Sequence, residues 1–424
     1  MVLPKIVLPL LTTLILLALF ERSLAQAIFH ADIIVDQSGK GDYRTITAAI
    51  AALPMYTYQR TIIFIKNGVY NEKLRLEQNY ITLRGESRDS TIIRYSQLRE
   101  DWNKNKDYLG PGVINIDGDD IVLDNLTIEN GQPEIGPHAF AIYGLTCNRI
   151  VITNCNVISK GGDTVSLWNY KDGMYYHANC YFEGAVDFVC PRGWCFIRDS
   201  KFYEVKETAA LWHAGSYDSE QKFVIRNSDF EGVPGFQLGR HHYEAQFYLI
   251  DCRFPKNMAD RSIYHVMSDD PDKNNPYYSG DRKHFYNCTK SGEAFDWYKN
   301  NLDRASGSLS PEEITPAWTF GGEWDPEDTQ PVRVTDYTIA ENSVTLAFSE
   351  IVTVRGKPVF KNKAGKEFRI VMQRFTDINQ LTFVADSQIT KEDLADELFL
   401  QDGGIVNSIA SVQERSVGST FRLP

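Results

Sequence analysis

From Asp120 to about Thr289 the chain repeats one phrase: an apolar run, then Asn or Asp, then a small residue in most copies, then a second apolar run. It reads Val122-Leu-Asp-Asn125-Leu-Thr-Ile128, Val151-Ile-Thr-Asn154-Cys-Asn-Val157 and Tyr175-Tyr-His-Ala-Asn179-Cys-Tyr-Phe182. Further copies centre on Asp199, Asn227, Asp251 and Asn287, with steps of 29, 25, 20, 28, 24 and 36 residues. The runs are rich in Val, Ile, Phe and Tyr alternating with polar residues, which predicts strands. Asn and Asp tolerate the left-handed region and bond to neighbouring backbone, so each marks a turn between two strands. A period in the twenties built of short strands predicts a solenoid, in which a coil buries its apolar face only against its neighbours. An antiparallel sandwich would not give steps this long, so the fold expected is all-β, a right-handed parallel β-helix.

Ile33 to Asp36, Thr61 to Lys66 and Tyr80 to Arg84 predict earlier strands. Thr45 to Leu53 has the spacing of a short helix, placed to cover the open first coil, whose core and sheet edges are otherwise exposed. After the last coil, Ala294 to Lys299 and the capping box Ser310-Pro-Glu-Glu313 predict helices. Around Glu323 to Pro331 the composition turns polar and proline-containing, the mark of a boundary. The segments expected are therefore 28–328 for the β-helix and 329–424 for a small immunoglobulin-like β-sandwich, with strands such as Ser343 to Phe348 and Gln380 to Val384.

Composition narrows the partners. With 44 basic and 56 acidic residues the net charge is −12, which argues against nucleic acid. A polyanionic substrate would have to be held by local cations. Residues 1–27 predict a secretory signal peptide, with Lys5, an apolar core from Ile6 to Phe20 and the small residues Ala25 and Ala27 for cleavage. A membrane anchor is the weaker reading, because Pro9 interrupts the segment and Glu21-Arg22 follow at once. No later run is apolar enough to span a bilayer, and an exported, monomeric protein is expected. Seven cysteines do not complete a disulfide framework. Cys155, Cys180, Cys252 and Cys288 follow the repeat's Asn or Asp and read as small buried residues. Cys190 and Cys195 are near enough in sequence for one local bridge. No metal-ligand spacing stands out, and no metal or organic cofactor is expected.

Two aspartates sit in unlikely company. Asp163 follows Gly161-Gly162, and Asp187 lies in Gly184-Ala-Val-Asp-Phe-Val189. Isolated carboxylates among such neighbours are paired, hydrogen-bonded or functional. Asp163 lies 9 residues after Asn154 and Asp187 lies 8 after Asn179, so the two share a phase on adjacent coils, whose strands stack about 4.8 Å apart. Two close carboxylates divide their titration, one rising. Arg240 and His138 each lie 13 residues after a repeat asparagine, and an arginine beside one aspartate would keep that one ionised. Spacing alone slightly favours the plainer reading, turn aspartates and a structural ion pair.

Ile33 to Trp324 resembles the pectin methylesterases, β-helical carbohydrate esterases. The matching phrases are Asp36-Gln-Ser-Gly-Lys-Gly-Asp-Tyr-Arg-Thr-Ile46, Gly162-Asp163-Thr164, Tyr181-Phe-Glu-Gly-Ala-Val-Asp187-Phe-Val and Leu238-Gly-Arg240. The resemblance implies that Asp187 is the nucleophile, Asp163 the general acid and then base, and Arg240 the partner of Asp187. It implies methyl-ester hydrolysis on galacturonate in pectic polysaccharide, without a cofactor. The chain departs from the family where glutamines aid the oxyanion: Gly162 and His138 stand there instead. His241 and His242 replace a proline and a substrate-contacting tryptophan. His138 would donate a hydrogen bond in place of a glutamine or be an ordinary cleft histidine. Trp168, Trp212 and His213 are expected near the sugar, with plain packing as the alternative. The departures make a branched or decorated pectin a reasonable substrate. The rival readings are a β-helical polysaccharide hydrolase or lyase and a non-catalytic pectin-binding protein.

Overall fold

The structure is a computed structural model describing residues 31–56, 59–215, 218–274, 282–305, 307, 309–371 and 379–424. The expected signal segment lies outside the described residues. From residue 33 to residue 290 short parallel strands wind into a right-handed β-helix with three faces. The first sheet has ten strands, from Ile33–Val35 to Arg282–Tyr286, and the second has nine, from Gly68–Tyr70 to Thr289–Lys290. The third has a four-strand part and a three-strand part, joined through single bridges of Val189 to Val165 and Leu211. That break lies beside the two aspartates.

Each predicted turn residue does what its chemistry allows. Asn125, Asn154, Asn179, Asp199, Asn227, Asp251 and Asn287 all have φ between 45° and 59°. They stand at the corner between the first and second sheets and bond from coil to coil. Asn179 Nδ2 donates to Asn154 Oδ1 at 2.6 Å, Asn227 Nδ2 to Asp199 Oδ1 at 2.5 Å and Asn287 Nδ2 to Asp251 Oδ1 at 2.7 Å. The small residue that follows turns inward, so Cys155, Cys180 and Cys252 are buried in the core. In-register pairing lines like with like: Val157, Phe182, Phe202 and Phe230 are successive partners. The last two rings stack with centroids 4.6 Å apart.

Both ends of the core are covered. Thr45 caps the helix Ile46–Ala51, whose Ile46, Ala49 and Ile50 join the core. At the other end, the helix expected over Ala294 to Lys299 is a turn instead. Trp297 and Tyr298 both reach Phe254, at 5.8 and 5.6 Å. Adjacent residues on a helix diverge by about 100°, so an irregular turn delivers both rings where a helix would deliver one. The capping box at Ser310 and Glu313 forms, opening a single 3₁₀ turn, Pro311–Glu313. The chain then returns along the outside of the first sheet, with Ile314, Phe320 and Trp324 packed on Val122, Val151, Tyr176 and Phe196.

The C-terminal strands run antiparallel. Numbered in chain order from Val334–Ala340 to Thr420–Phe421, they lie in the order 1-2-5-4-3-6-7. That is the strand sequence of the two immunoglobulin sheets joined at one edge. The third strand, Val352–Lys361, makes the join, shifting register between Arg355 and Val359. The sheet curls around Val344, Leu346, Phe360, Phe368 and Phe383. It is tied to the β-helix where Asp120, held by Arg149 at 2.7 and 2.8 Å, accepts the Ala410 N–H at 2.9 Å. Trp324 Nε1 donates to the Ala410 carbonyl at 2.8 Å.

One buried acid supports the turn that carries Asp187. Glu204 ends the strand Lys201–Glu204 of the second sheet, has no exposed surface, and accepts the Lys206 N–H at 2.9 Å. Burial, with the Asp187 charge adding a little, pushes its pKa up to about 9. The native state therefore holds a proton that the unfolded chain releases near pH 4.3, and stability falls as pH rises through that window. Replacing Glu204→Gln should flatten that fall, read as the change in urea midpoint between pH 5 and pH 9; an unchanged fall would contradict the neutral acid. At the ladder, Asn179→Leu should cost about 2–3 kcal/mol, from a lost hydrogen bond and a residue that tolerates the left-handed region less well than asparagine. Asn179→Gly should cost only about 1 kcal/mol, because glycine accepts that φ. Equal losses in urea unfolding would show that the backbone conformation is not what asparagine supplies.

Candidate active site

Asp163 and Asp187 stand at the corner between the second and third sheets, on adjacent coils. Both have left-handed backbone, φ 59° and 58°, and so does Val186 at 45°. For a β-branched residue this is a true outlier, of the kind that costs about 1–3 kcal/mol and persists only where its surroundings dictate it. Here they do. The Val186 carbonyl accepts the Asp163 N–H at 3.1 Å, Val186 N–H donates to Thr208 Oγ1 at 3.1 Å, and Asp187 N–H donates to the Ala209 carbonyl at 2.7 Å. The turn aims both carboxylates into one cleft of about 780 Å³.

Arg240, in the strand Gln237–His241, grips Asp187 with both arms of its guanidinium: Nε to Oδ1 at 2.8 Å and the terminal nitrogen to Oδ2 at 2.6 Å. Burial raises the Asp187 pKa, and the hydrogen bonds and charge of Arg240 oppose that rise. Asp163 has no such clamp. Burial, and then the charge of Asp187, push it up to about 7, against the weaker pull of Arg99, Cys190 and Arg192. One carboxylate is thus held in its ionised form, and the other carries a proton up to neutral pH. His138 Nε2 lies 3.3 Å from Asp163 Oδ2. Burial, Arg99 and Arg240 lower the His138 pKa, which favours the neutral ring beside Asp163.

The other residues singled out from the sequence divide into two groups. Trp168, Trp212 and His242 line the cleft. Trp168 is fixed by its Nε1 bond to the Cys190 carbonyl at 3.0 Å, and Trp212 meets the His242 ring edge-on at 4.5 Å. Gly162 and His213 are corrections. The Gly162 N–H is taken by the Pro137 carbonyl at 3.0 Å and its own carbonyl by Ala139 N–H, so its backbone offers no donor to an oxyanion. His213 is buried inside the coil, with Nε2 on the Gly193 carbonyl and Nδ1 on the Gly215 N–H, both at 3.0 Å. Burial lowers it to about 4, and this neutral ring packs on Phe223 and Phe247 rather than on a ligand. His241 also turns inward, bonded through Nδ1 to the Tyr243 carbonyl at 2.6 Å.

Cys190 and Cys195 are both free. The Cys190 thiol faces Ser166 Oγ at 3.1 Å, and Cys195 sits within the first sheet opposite Tyr175 and Phe223. The two side chains serve different environments, so the local bridge does not form. Two charged cleft residues escaped the sequence reading, Arg99 and Arg192. Arg192 lies five residues after Asp187 in the same loop, a signal that was available. Arg99 comes from the short helix Arg99–Lys104, docked by its own N–H on the His138 carbonyl at 2.8 Å. Nothing in its local sequence places it there.

The profile described as Pectinesterase matches residues 32–231. Pectinesterase 31 of Arabidopsis thaliana is 30% identical over 164 residues, which cover 37% of this chain and 50% of the relative. The chain spans about half the length of the curated relatives it matches. Among solved structures, a pectin methylesterase in complex with a hexasaccharide superposes with a TM-score of 0.57 at 20% identity, covering 71% of this chain and 99% of that one. The pectin methylesterase from carrot gives 0.56 at 20% identity, with 69% and 94% covered. At this identity the structures speak for the fold, and over residues 32–231 the sequence is similar to the pectinesterases.

Proposed function

We propose that the cleft hydrolyses methyl esters of galacturonate in pectic polysaccharide and releases methanol. The observation that carries the reading is the asymmetric pair, Asp187 clamped by Arg240 at 2.6 and 2.8 Å beside an Asp163 raised to about 7. Asp187 attacks the ester carbonyl carbon, and a tetrahedral oxyanion forms. As it collapses, Asp163 gives its proton to the departing methoxide, leaving methanol and an acyl group on Asp187. Asp163, now a base, takes a proton from water, whose oxygen attacks the acyl carbon and frees Asp187 and a galacturonate carboxylate. Arg240 orients the nucleophile throughout. His138 is positioned to donate to the oxyanion or to share the proton of Asp163. The same reading carries an exported location and, from His242 in the cleft where the family has a tryptophan, a branched or decorated pectin as substrate.

Methanol release from methylated pectin tests this directly. Asp187→Asn should abolish it, and Asp163→Asn should lower kcat by about 10²–10⁴-fold. No methanol from the wild type, or full activity in both variants, would end the esterase reading; new reducing ends or unsaturated sugars would mark a hydrolase or lyase instead. The kcat/KM profile should be bell-shaped. Its upper limb should fall near pH 7, where Asp163 loses its proton, and its lower limb above the ordinary aspartate range, where Asp187 gains one. Running the assay on branched pectin and on plain homogalacturonan tests the decoration, and a clear preference for the plain chain would count against it.

His138 can be judged separately. His138→Ala should lower kcat on the order of a hundredfold, as loss of one oxyanion donor does. His138→Gln, which restores an amide donor, should recover most of that loss. Wild-type rates in both variants would reduce His138 to a bystander.

A further inference from the structure

Three arginines line the cleft, and only Arg240 is committed to a carboxylate. Arg99 and Arg192 are half-buried and form no ion pair among the described residues. The Nε of Arg192 is buried without a hydrogen-bond partner. Desolvating a guanidinium without an anion is costly, and a chain with 56 acidic residues does not lack candidates to pair it. The two side chains are nonetheless held in place. The Arg192 guanidinium lies 4.5 Å from the centroid of the Trp168 ring and that of Arg99 lies 6.0 Å from it, with Phe140 a further 5.9 Å contact for Arg99. Trp168 is itself locked, by its bond to Cys190 and by edge-on contacts to Phe140 at 5.7 Å and Tyr143 at 5.5 Å. The indole therefore serves as a shelf for guanidinium groups, and its role as a sugar platform is correspondingly reduced.

We propose that Arg99, Trp168 and Arg192 form a carboxylate subsite that holds a free uronate of the polysaccharide beside the sugar whose ester faces Asp187. The inference rests on the esterase reading for the position of the reacting sugar, and on the unpaired arginines for the charge it selects. A planar guanidinium stacked on an aromatic face keeps its N–H edge available for a bidentate carboxylate. The substrate favoured is a partly de-esterified polyuronate, in which acid and ester residues adjoin. Local cations thus solve the problem set by the overall charge of −12, since the cleft can attract a polyanion that the surface at large repels.

The test is binding of a fully de-esterified oligogalacturonide to the full chain by calorimetry, compared with the same oligomer after reduction of its carboxyls to primary alcohols. The charged oligomer should bind at least tenfold more tightly than the reduced one, and added salt should weaken it. Arg192→Gln and Arg99→Gln should each weaken binding about tenfold, with Arg192→Lys in between because it keeps charge but loses the fork. Urea midpoints close to the wild type's would show that the variants fold. Equal binding of the two oligomers, or wild-type binding in both glutamine variants, would overturn the subsite. Methanol release is scored separately, so an active esterase without uronate preference rejects this inference alone, and uronate binding without methanol rejects the esterase reading alone.

Discussion

Each coil of the helix has to turn sharply without losing register with the coils on either side, and the whole molecule depends on how it does so. From Asn125 to Asn287 one residue per coil enters the left-handed region between the first and second sheets, and three pairs of these side chains bond across adjoining coils. The amide does two things at once: it tolerates a backbone conformation that most residues resist, and it satisfies polar groups that would otherwise meet a dry corner. With the corners fixed, the inward rings fall into line, and the ladder of phenylalanines follows from register alone. The same device, moved to another corner, presents Asp163 and Asp187. There the left-handed residues aim a carboxylate outward, and neighbouring coils hold the strained backbone in place.

The cleft's electrostatics follow from that placement. Burial alone would push both carboxylates toward the neutral form. Arg240 reaches only one of them, so the pair splits into an ion and an acid. Glu204, beneath the same turn, shows what burial does to a carboxyl with no cation at hand. Three acids from three segments near one turn thus titrate differently because their partners differ.

The repeat, the all-β helix, the capping helix and the turn positions could be read from the sequence, because a period and a positive-φ residue type leave marks in the chain itself. The spatial meeting of Asp163, Asp187 and Arg240 was suggested by phase and weighted by family resemblance. Less could be read where a side chain's direction matters. His213 and His242 are both histidines beside the cleft strands, yet one faces the core and the other faces solvent. That choice is set where Ala210-Leu211 and Leu238-Gly239 pass the break in the third sheet, and strict alternation does not describe it. Gly162 was singled out for the residue it lacks, and its backbone was already occupied. Arg99 was invisible because its contribution comes from a distant helix docked by one backbone bond.

The ladder and the cleft occupy different corners of the same coil, and no residue serves both. A side chain exchanged at the cleft corner leaves the asparagine ladder, the aromatic file and both end caps as they were. The architecture thus separates the residues that set the winding from those that set the chemistry of the cleft.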